Sequence, residues 1–322
     1  MTKTRKYVFY KRVSNENKAI LITGCDSGFG HAIAKRMDHL GYHIFAACLD
    51  PHGKGGAELI KQCSSRLQVL PLDVTSDQSV QFAKDYVMDH LKNNVLWAVL
   101  NNAGIALAGE IDWVPLDHMH KVFDINTMGI LRVTKAFLPL LKKSKGRLIN
   151  NTSICGDFIC PGFVGYCMSK SAANAFTYGF RIEMMKWEVK VISIRPFFYK
   201  TPLTCKNSAE KMIEETWLKV DSKIREDYGE NYKKNFLKNT SKLLSRGSTR
   251  IHEVIDCFED ALTSVEPLST YTPAYSPDKL GIKLLKYLPN IISEIYLKFE
   301  LDQGNEPKAL QRMKEDNKVN LK

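Results

Sequence analysis

Residues 19–34 read AILITGCDSGFGHAIA, an apolar run that passes straight into a glycine-spaced turn and then into a helical pattern. Gly24, Gly28 and Gly30 stand in the order G-x-x-x-G-x-G. Glycine at a strand-to-helix junction permits a tight turn, lets backbone approach a ligand and lets the helix sit close to the strand. The helix that follows presents free N–H groups and the positive end of its dipole, which suits a pyrophosphate. Gly24, Ser27, Gly28, Phe29 and Gly30 are therefore the candidates for holding a dinucleotide. Asp50 lies twenty residues beyond Gly30, just after the next apolar run. A carboxylate there accepts hydrogen bonds from an adenosine ribose and repels a ribose phosphate. That favours NAD, with Lys54 close by and NADP as the alternative.

The first two hundred residues keep alternating between two periodicities. Short apolar runs occur at AILIT (19–23), HIFAAC (43–48), LQVL (67–70), WAVL (97–100), RLINNTS (147–153) and VKVISI (189–194). Segments such as HAIAKRMDHL and SVQFAKDYVMDHL lie between them, with apolar residues at three- and four-residue intervals, and predict amphipathic helices. This alternation predicts an α/β fold, a Rossmann-type doubly wound parallel sheet. Strands that are apolar throughout fit a sheet buried on both faces. A single domain is expected over residues 18–302, with a helical, charge-rich extension over about 203–302 that covers the substrate. Residues 1–17 form a basic segment and residues 303–322 a polar, frayed tail.

Hydrophobic residues make up 44% and charged residues 25% of the 322, an ordinary globular composition. The formal net charge of +11 points to an anionic partner or to solubility, but no basic helix is interleaved with aromatics, so no nucleic-acid partner is expected. No run reaches the roughly 18–20 apolar residues of a membrane span. The N-terminal stretch carries five basic groups, yet its apolar part, YVFY, is too short for a secretory signal. The stretch Lys279–Phe299, interrupted by Pro289, reads as a lid or as an interfacial helix in peripheral contact with a membrane. Eight cysteines form no CxxC and no metal spacing, so reduced thiols, no metal, and idle sequons at Asn150, Asn151 and Asn239 are expected. An intracellular place follows, cytoplasmic or peripheral to a membrane, with the mitochondrion possible.

Tyr166 and Lys170 lie one helical turn apart in YCMSKSAANAF. A tyrosine with an ordinary pKa near 10 is a poor base at neutral pH. An ammonium on the same helix face stabilises its phenolate. Ser153, thirteen residues upstream, can donate a hydrogen bond to a reacting oxygen. Together these groups suit proton transfer accompanying a hydride shift between an alcohol carbon and a nicotinamide.

In these motifs the chain resembles the short-chain dehydrogenases/reductases over residues 18–202. TGCDSGFG resembles the family's TGxxxGxG, LDV (72–74) its adenine-contacting acid, and NNAG (101–104) its fourth-strand signature. The resemblance implies cofactor contacts from Asp73, Val74, Asn101, Ala103, Gly104, Tyr166, Lys170, Pro196 and Thr201. It makes Ser153, Tyr166, Lys170 and Asn126 the catalytic set, with Asn126 supporting a relay behind Lys170. RPFFYKT departs from the family by placing Phe197 where glycine is common. It also implies a homodimer or homotetramer.

The segments FAACLD, FLPLLKKSKGRLIN and IREDYGENYKKNF resemble the branch of retinol, hydroxysteroid and D-beta-hydroxybutyrate dehydrogenases. CGDFIC (155–160) and FFY (197–199) are expected to face the substrate, with Phe158 and Phe198 touching it alongside Ser153 and Tyr166. They are largely apolar, with Asp157 the acid and Lys200 the nearest cation for a small carboxylate. A lipophilic alcohol or carbonyl, retinoid- or steroid-like, is the expected substrate. Hydroxybutyrate, or a catalytically silent binding protein of the same fold, is the alternative.

Overall fold

The computed structural model of the chain describes residues 11–274, 292, 294–295 and 306–320. The stretch Lys279–Phe299 falls outside the described residues except at Ile292, Glu294 and Ile295.

Six of the strands coincide with the apolar runs: β1 (Lys18–Thr23), β2 (His43–Cys48), β3 (Leu67–Pro71), β4 (Val95–Asn101), β5 (Arg147–Asn151) and β6 (Lys190–Ile194). With a two-residue β7 (Thr270–Tyr271) they make one seven-stranded sheet in the order β3-β2-β1-β4-β5-β6-β7. Every pairing is parallel, as in Ile20 opposite Ile44 on one side and Ala98 on the other. β7 is too short for any periodicity to announce it. The run 147–153 ends as a strand at Asn151, after which the chain turns at Ser153 into a short 3₁₀ segment.

The helices are α1 (Gly28–His39), α2 (Lys54–Gln62), α3 (Asp77–His90), α4 (Leu116–Phe123), α5 (Gly129–Ser144) and α6 (Val164–Met184). Three more, α7 (Lys206–Leu218), α8 (Ser222–Tyr228) and α9 (Glu230–Ser245), form the predicted cover, and α10 (His252–Thr263) returns to the sheet. Lys308–Asn320 is also helical, as α11, where the polar composition predicted a frayed end; its Lys308 side chain lies against Gly229 between α8 and α9. No described helix is long and apolar enough to cross a membrane.

Strand alternation divides the interior in two. Ile20 and Ile22 of β1 face a core completed by Ile33 and Met37 of α1 and Phe258 of α10. Ala19 and Leu21 face the opposite core, completed by Val80 and Val87 of α3 and Phe137 and Leu141 of α5. A third core lies off the sheet, where Trp217 and Phe236 of the cover meet Trp113, Phe163 and Cys167. Trp113 crosses Trp217 edge-on at 4.7 Å between ring centroids.

The amino-terminal edge of the sheet is closed by a buried cation. Arg147, 1% exposed, donates to the carbonyls of Ala261 and Ser264 at the end of α10 and stacks on Trp97 at 4.8 Å. Trp97 Nε1 donates to the Leu262 carbonyl between them at 3.1 Å. Terminal helix carbonyls have no partner within their own helix, and a cation at that end also complements the helix dipole. Arg147→Met leaves two buried carbonyls unpaired and is expected to lower unfolding free energy by about 3 kcal/mol. Denaturant unfolding of the two proteins measures this difference.

Candidate active site

β1 and β4 are neighbours in the sheet although their chains leave in opposite directions, and the crevice beyond their carboxyl ends is where ligands of such sheets bind. A cleft of about 360 Å³ opens there. The glycine turn forms its floor. Gly24 has φ +69°, and a Cβ on it would stand 2.8 Å from Ala103 Cα. A Cβ on Gly30 would collide with the Gly24 carbonyl and with Asn102 Nδ2. Gly28, φ +63°, differs: its nearest neighbours, Pro202 and Thr201, stand 3.9 Å away, so room is left above the start of α1. Ser27 caps that helix without committing its hydroxyl, and the first turn holds no acid. Free N–H groups and open space at the start of α1 fit the phosphates of a dinucleotide.

At the far end of the cleft lie Asp26, Leu49, Leu72, Asp73 and Val74. The Asp26 carboxylate accepts from the Leu49 and Asp50 amides, each at 3.0 Å. Asp50 itself does not line the cleft. Its carboxylate accepts from His52 N at 3.1 Å and Gly53 N at 2.9 Å, closing a local turn before α2. The acid on the cleft wall nearest that strand end is therefore Asp26. Its position inside the glycine turn was the available signal. Asp73 also lines the cleft, its carboxylate accepting from the Thr75 amide and hydroxyl at 2.9 and 2.7 Å.

Ser153, Tyr166 and Lys170 meet at the other end. Ser153 is placed by the turn after β5, where its Oγ accepts from Cys155 N at 3.1 Å. Tyr166 and Lys170 come from the first two turns of α6, with the ammonium 5.8 Å from the phenol ring centroid. Burial and the neighbouring Cys155 push the Tyr166 phenol well up, while a hydrogen bond with Ser153 pulls the other way. Burial pushes the Lys170 ammonium down to about 8, and its Nζ donates to the Asn151 carbonyl at 3.1 Å.

Asn126 sits beside this pair in a π-helical turn, Asp124–Met128, that links α4 to α5. Such turns displace one residue from the helical ladder and recur at functional sites. Its amide pairs with Ile105 in both directions at 2.9 Å and donates to Ser169 Oγ at 3.0 Å. The side chain is thus fully engaged, and it holds the loop after Gly104 against α6 next to Lys170.

Ala103, Gly104, Pro196, Phe198 and Thr201 also line the cleft. Asn101 does not; it is buried in the sheet, donating to Asn150 at 2.9 Å, and its neighbour Asn102 faces the cleft instead. Phe158 lies outside the lining, where Phe163 stands. Asp157 is withdrawn as well, paired with Arg195 at 2.6 Å, and Lys200 is exposed away from the cleft. Phe197 causes no backbone strain, since its φ is not in the left-handed region; its ring crosses Phe198 at 80°. Met212 of α7 and Leu244 of α9 complete the wall, and no local pattern marked them. Among the described residues no three His, Cys, Asp or Glu side chains are grouped to hold a metal.

The short chain dehydrogenase family model matches residues 18–212. Estradiol 17-beta-dehydrogenase 2 of Mus musculus is 37% identical over 303 residues, covering 92% of this chain and 78% of that protein. Retinol dehydrogenase 16 of Mus musculus is 37% identical over 283 residues, covering 88% of each. A short chain dehydrogenase/reductase from Burkholderia phymatum, solved in complex with NAD, aligns with a TM-score of 0.69 at 19% identity over 84% of this chain and 94% of that one.

The depressed Lys170 value sets a pH dependence. With the folded value near 8 against an ordinary 10.5, the ammonium is buried at a loss below pH 8. As pH rises from 8 toward 10.5 the folded protein sheds this proton first, so stability rises with pH in that window. Lys170→Met is expected to stabilise the cofactor-free protein by about 3 kcal/mol at pH 7, with the gain fading toward pH 10.5. Thermal or denaturant unfolding across pH 6–10.5 checks both sign and window.

Proposed function

The chain belongs to the short-chain dehydrogenase family, and from that premise we propose that it oxidises a lipophilic alcohol, retinoid- or steroid-like, with NAD as its partner. The observation that carries the substrate reading is the wall beyond Ser153 and Tyr166. Ile154, Phe163, Phe197, Phe198, Met212 and Leu244 line it. Lys170 is the only cation among the described lining residues, and its ammonium already serves the Asn151 carbonyl. A small carboxylate such as hydroxybutyrate finds no clamp there. A large apolar body instead displaces water from apolar surface, at about 25 cal/mol per Å² buried. Relatives named for retinol and for estradiol support the same class.

Bound NAD supplies the nicotinamide carbon that accepts a hydride from the alcohol carbon. This chain's residues manage the oxygen. Ser153 donates to the alcohol oxygen and holds it beside Tyr166. Tyr166 takes the hydroxyl proton as phenolate, and the Lys170 ammonium one turn away makes that phenolate accessible despite burial. In the reverse direction the same phenol returns the proton to the carbonyl oxygen. NAD is preferred over NADP because acids, Asp26 on the wall and Asp50 just behind it, border the adenosine end, and either repels a ribose phosphate.

Purified protein assayed with NAD and NADP against retinol, a 17-hydroxysteroid and D-3-hydroxybutyrate is expected to turn over the lipophilic alcohols with NAD. Turnover of hydroxybutyrate alone would overturn the substrate reading. Tyr166→Phe is expected to lower kcat by about a thousandfold while NAD affinity stays within a few-fold. Equal activity of variant and parent would remove the tyrosine from the mechanism.

A further inference from the structure

Asn151 belongs to none of the motifs that define the site, yet it joins both halves of it. It is the last residue of β5, two before Ser153, and it lines the cleft. Its Nδ2 donates to Asn102 Oδ1 at 3.0 Å. Asn102 Nδ2 donates in turn to the carbonyls of Thr23 and Gly24, at 2.9 and 3.1 Å. With both Asn102 N–H groups committed, its oxygen must face Asn151, and Asn151 must answer with its NH₂. The orientation of both amides follows. The line of amides therefore runs from β5 through β4 to the glycine turn.

The remaining atom of this amide is informative. Asn151 Oδ1 is buried and has no hydrogen-bond partner among the described residues. A β-branched apolar residue would suit this strand end without stranding an acceptor. The amide is thus explained by the bond its nitrogen makes, not by filling. Meanwhile the main-chain carbonyl of the same residue anchors Lys170 Nζ at 3.1 Å.

We propose that Asn151 is a positioning residue for the dehydrogenase reaction, fixing the Lys170 ammonium through its carbonyl and the dinucleotide seat through Asn102. The proposal rests on the dehydrogenase reading above. The separation between phosphate turn and proton-transfer pair is set by hydrogen bonds across three adjacent strands. Freeing the Asn151 side chain lets the end of β5 move, which slackens the Lys170 anchor and the Gly24 turn together. A weaker hold on the ammonium stabilises the Tyr166 phenolate less, so activity then requires a higher pH.

The test uses the full chain as parent, Asn151→Val and Asn151→Ser, each checked for folding by circular dichroism and thermal unfolding. NAD binding is measured by calorimetry without substrate, and the pH profile of kcat/KM with an alcohol that the parent oxidises. Both variants are expected to bind NAD about tenfold more weakly, with the acid limb moved up by about half a pH unit. In an Asn102→Ala background the Asn151→Val change should add about twofold or less, since the shared bond is already gone. Folded variants with parental NAD affinity and an unmoved acid limb would overturn the proposal. So would a fall in thermal stability alone, or failure of both variants to fold, since each assigns a purely structural role. A parent that binds NAD but oxidises no alcohol would instead strike at the functional reading, while the NAD affinities still decide the positioning one. A parent that binds no dinucleotide overturns both.

Discussion

One hydroxyl oxygen fixes the geometry on which the site depends. Thr23 Oγ1, at the end of β1, accepts the backbone N–H groups of both Asn102 and Ala103 at 3.0 Å each. The side chain is 1% exposed, so water offers no competing partner. Unmade, these two bonds would leave buried donors stranded, which costs about 1–3 kcal/mol apiece. The pair locks the carboxyl end of β4 against that of β1, where the chain reverses its winding. Ala103 is thereby pressed so close to Gly24 that no side chain fits between them. The narrow floor of the cleft follows from this contact, and Ser153, Tyr166 and Lys170 are arranged around it.

A second constraint is electrical. Lys170 is 4% exposed, and among the described residues its ammonium meets the Asn151 carbonyl and the nearby phenol ring but no carboxylate. A structure selected for stability alone would not bury a lone ammonium. The sheet around it is apolar and continuous on both faces, which makes the local loss tolerable. The same burial raises the Tyr166 phenol and lowers the Lys170 ammonium to about 8, which reverses the ordinary order of the pair and drives the two values apart. Stability is given up at one point, and that point is the one where the proposed reaction needs a proton to move.

Much of this architecture was legible in the chain because its strands are buried on both faces. HIFAAC and AILIT leave no polar alternation to confuse the reading, and their bounds fell within a residue of β2 and β1. Tyr166 and Lys170 were legible because helix spacing is a local property. Asp50 stands behind the cleft wall for an equally local reason: a carboxylate followed by His52 and Gly53 satisfies its own turn. Phe158 lies off the cleft lining for a different reason. The 3₁₀ segment after Ser153 rotates the chain, so the residue after Asp157 points away while Cys155 faces inward. Met212 and Leu244 approach the cleft from helices distant in sequence, and only tertiary packing reveals them. β7 and α11 were missed because two residues carry no period and a polar helix carries no stripe.

The third core has a consequence for divergence. Trp113, Trp217, Phe163 and Phe236 hold the cover in place through contacts separate from the two cores that stabilise the sheet. Met212 and Leu244 hang from that cover over the reacting groups without entering either sheet core. Their exchange alters the shape offered to a substrate while β1, β4 and β5 keep their register. The roof over the cleft can therefore change shape within the third core while the two sheet cores keep their own packing.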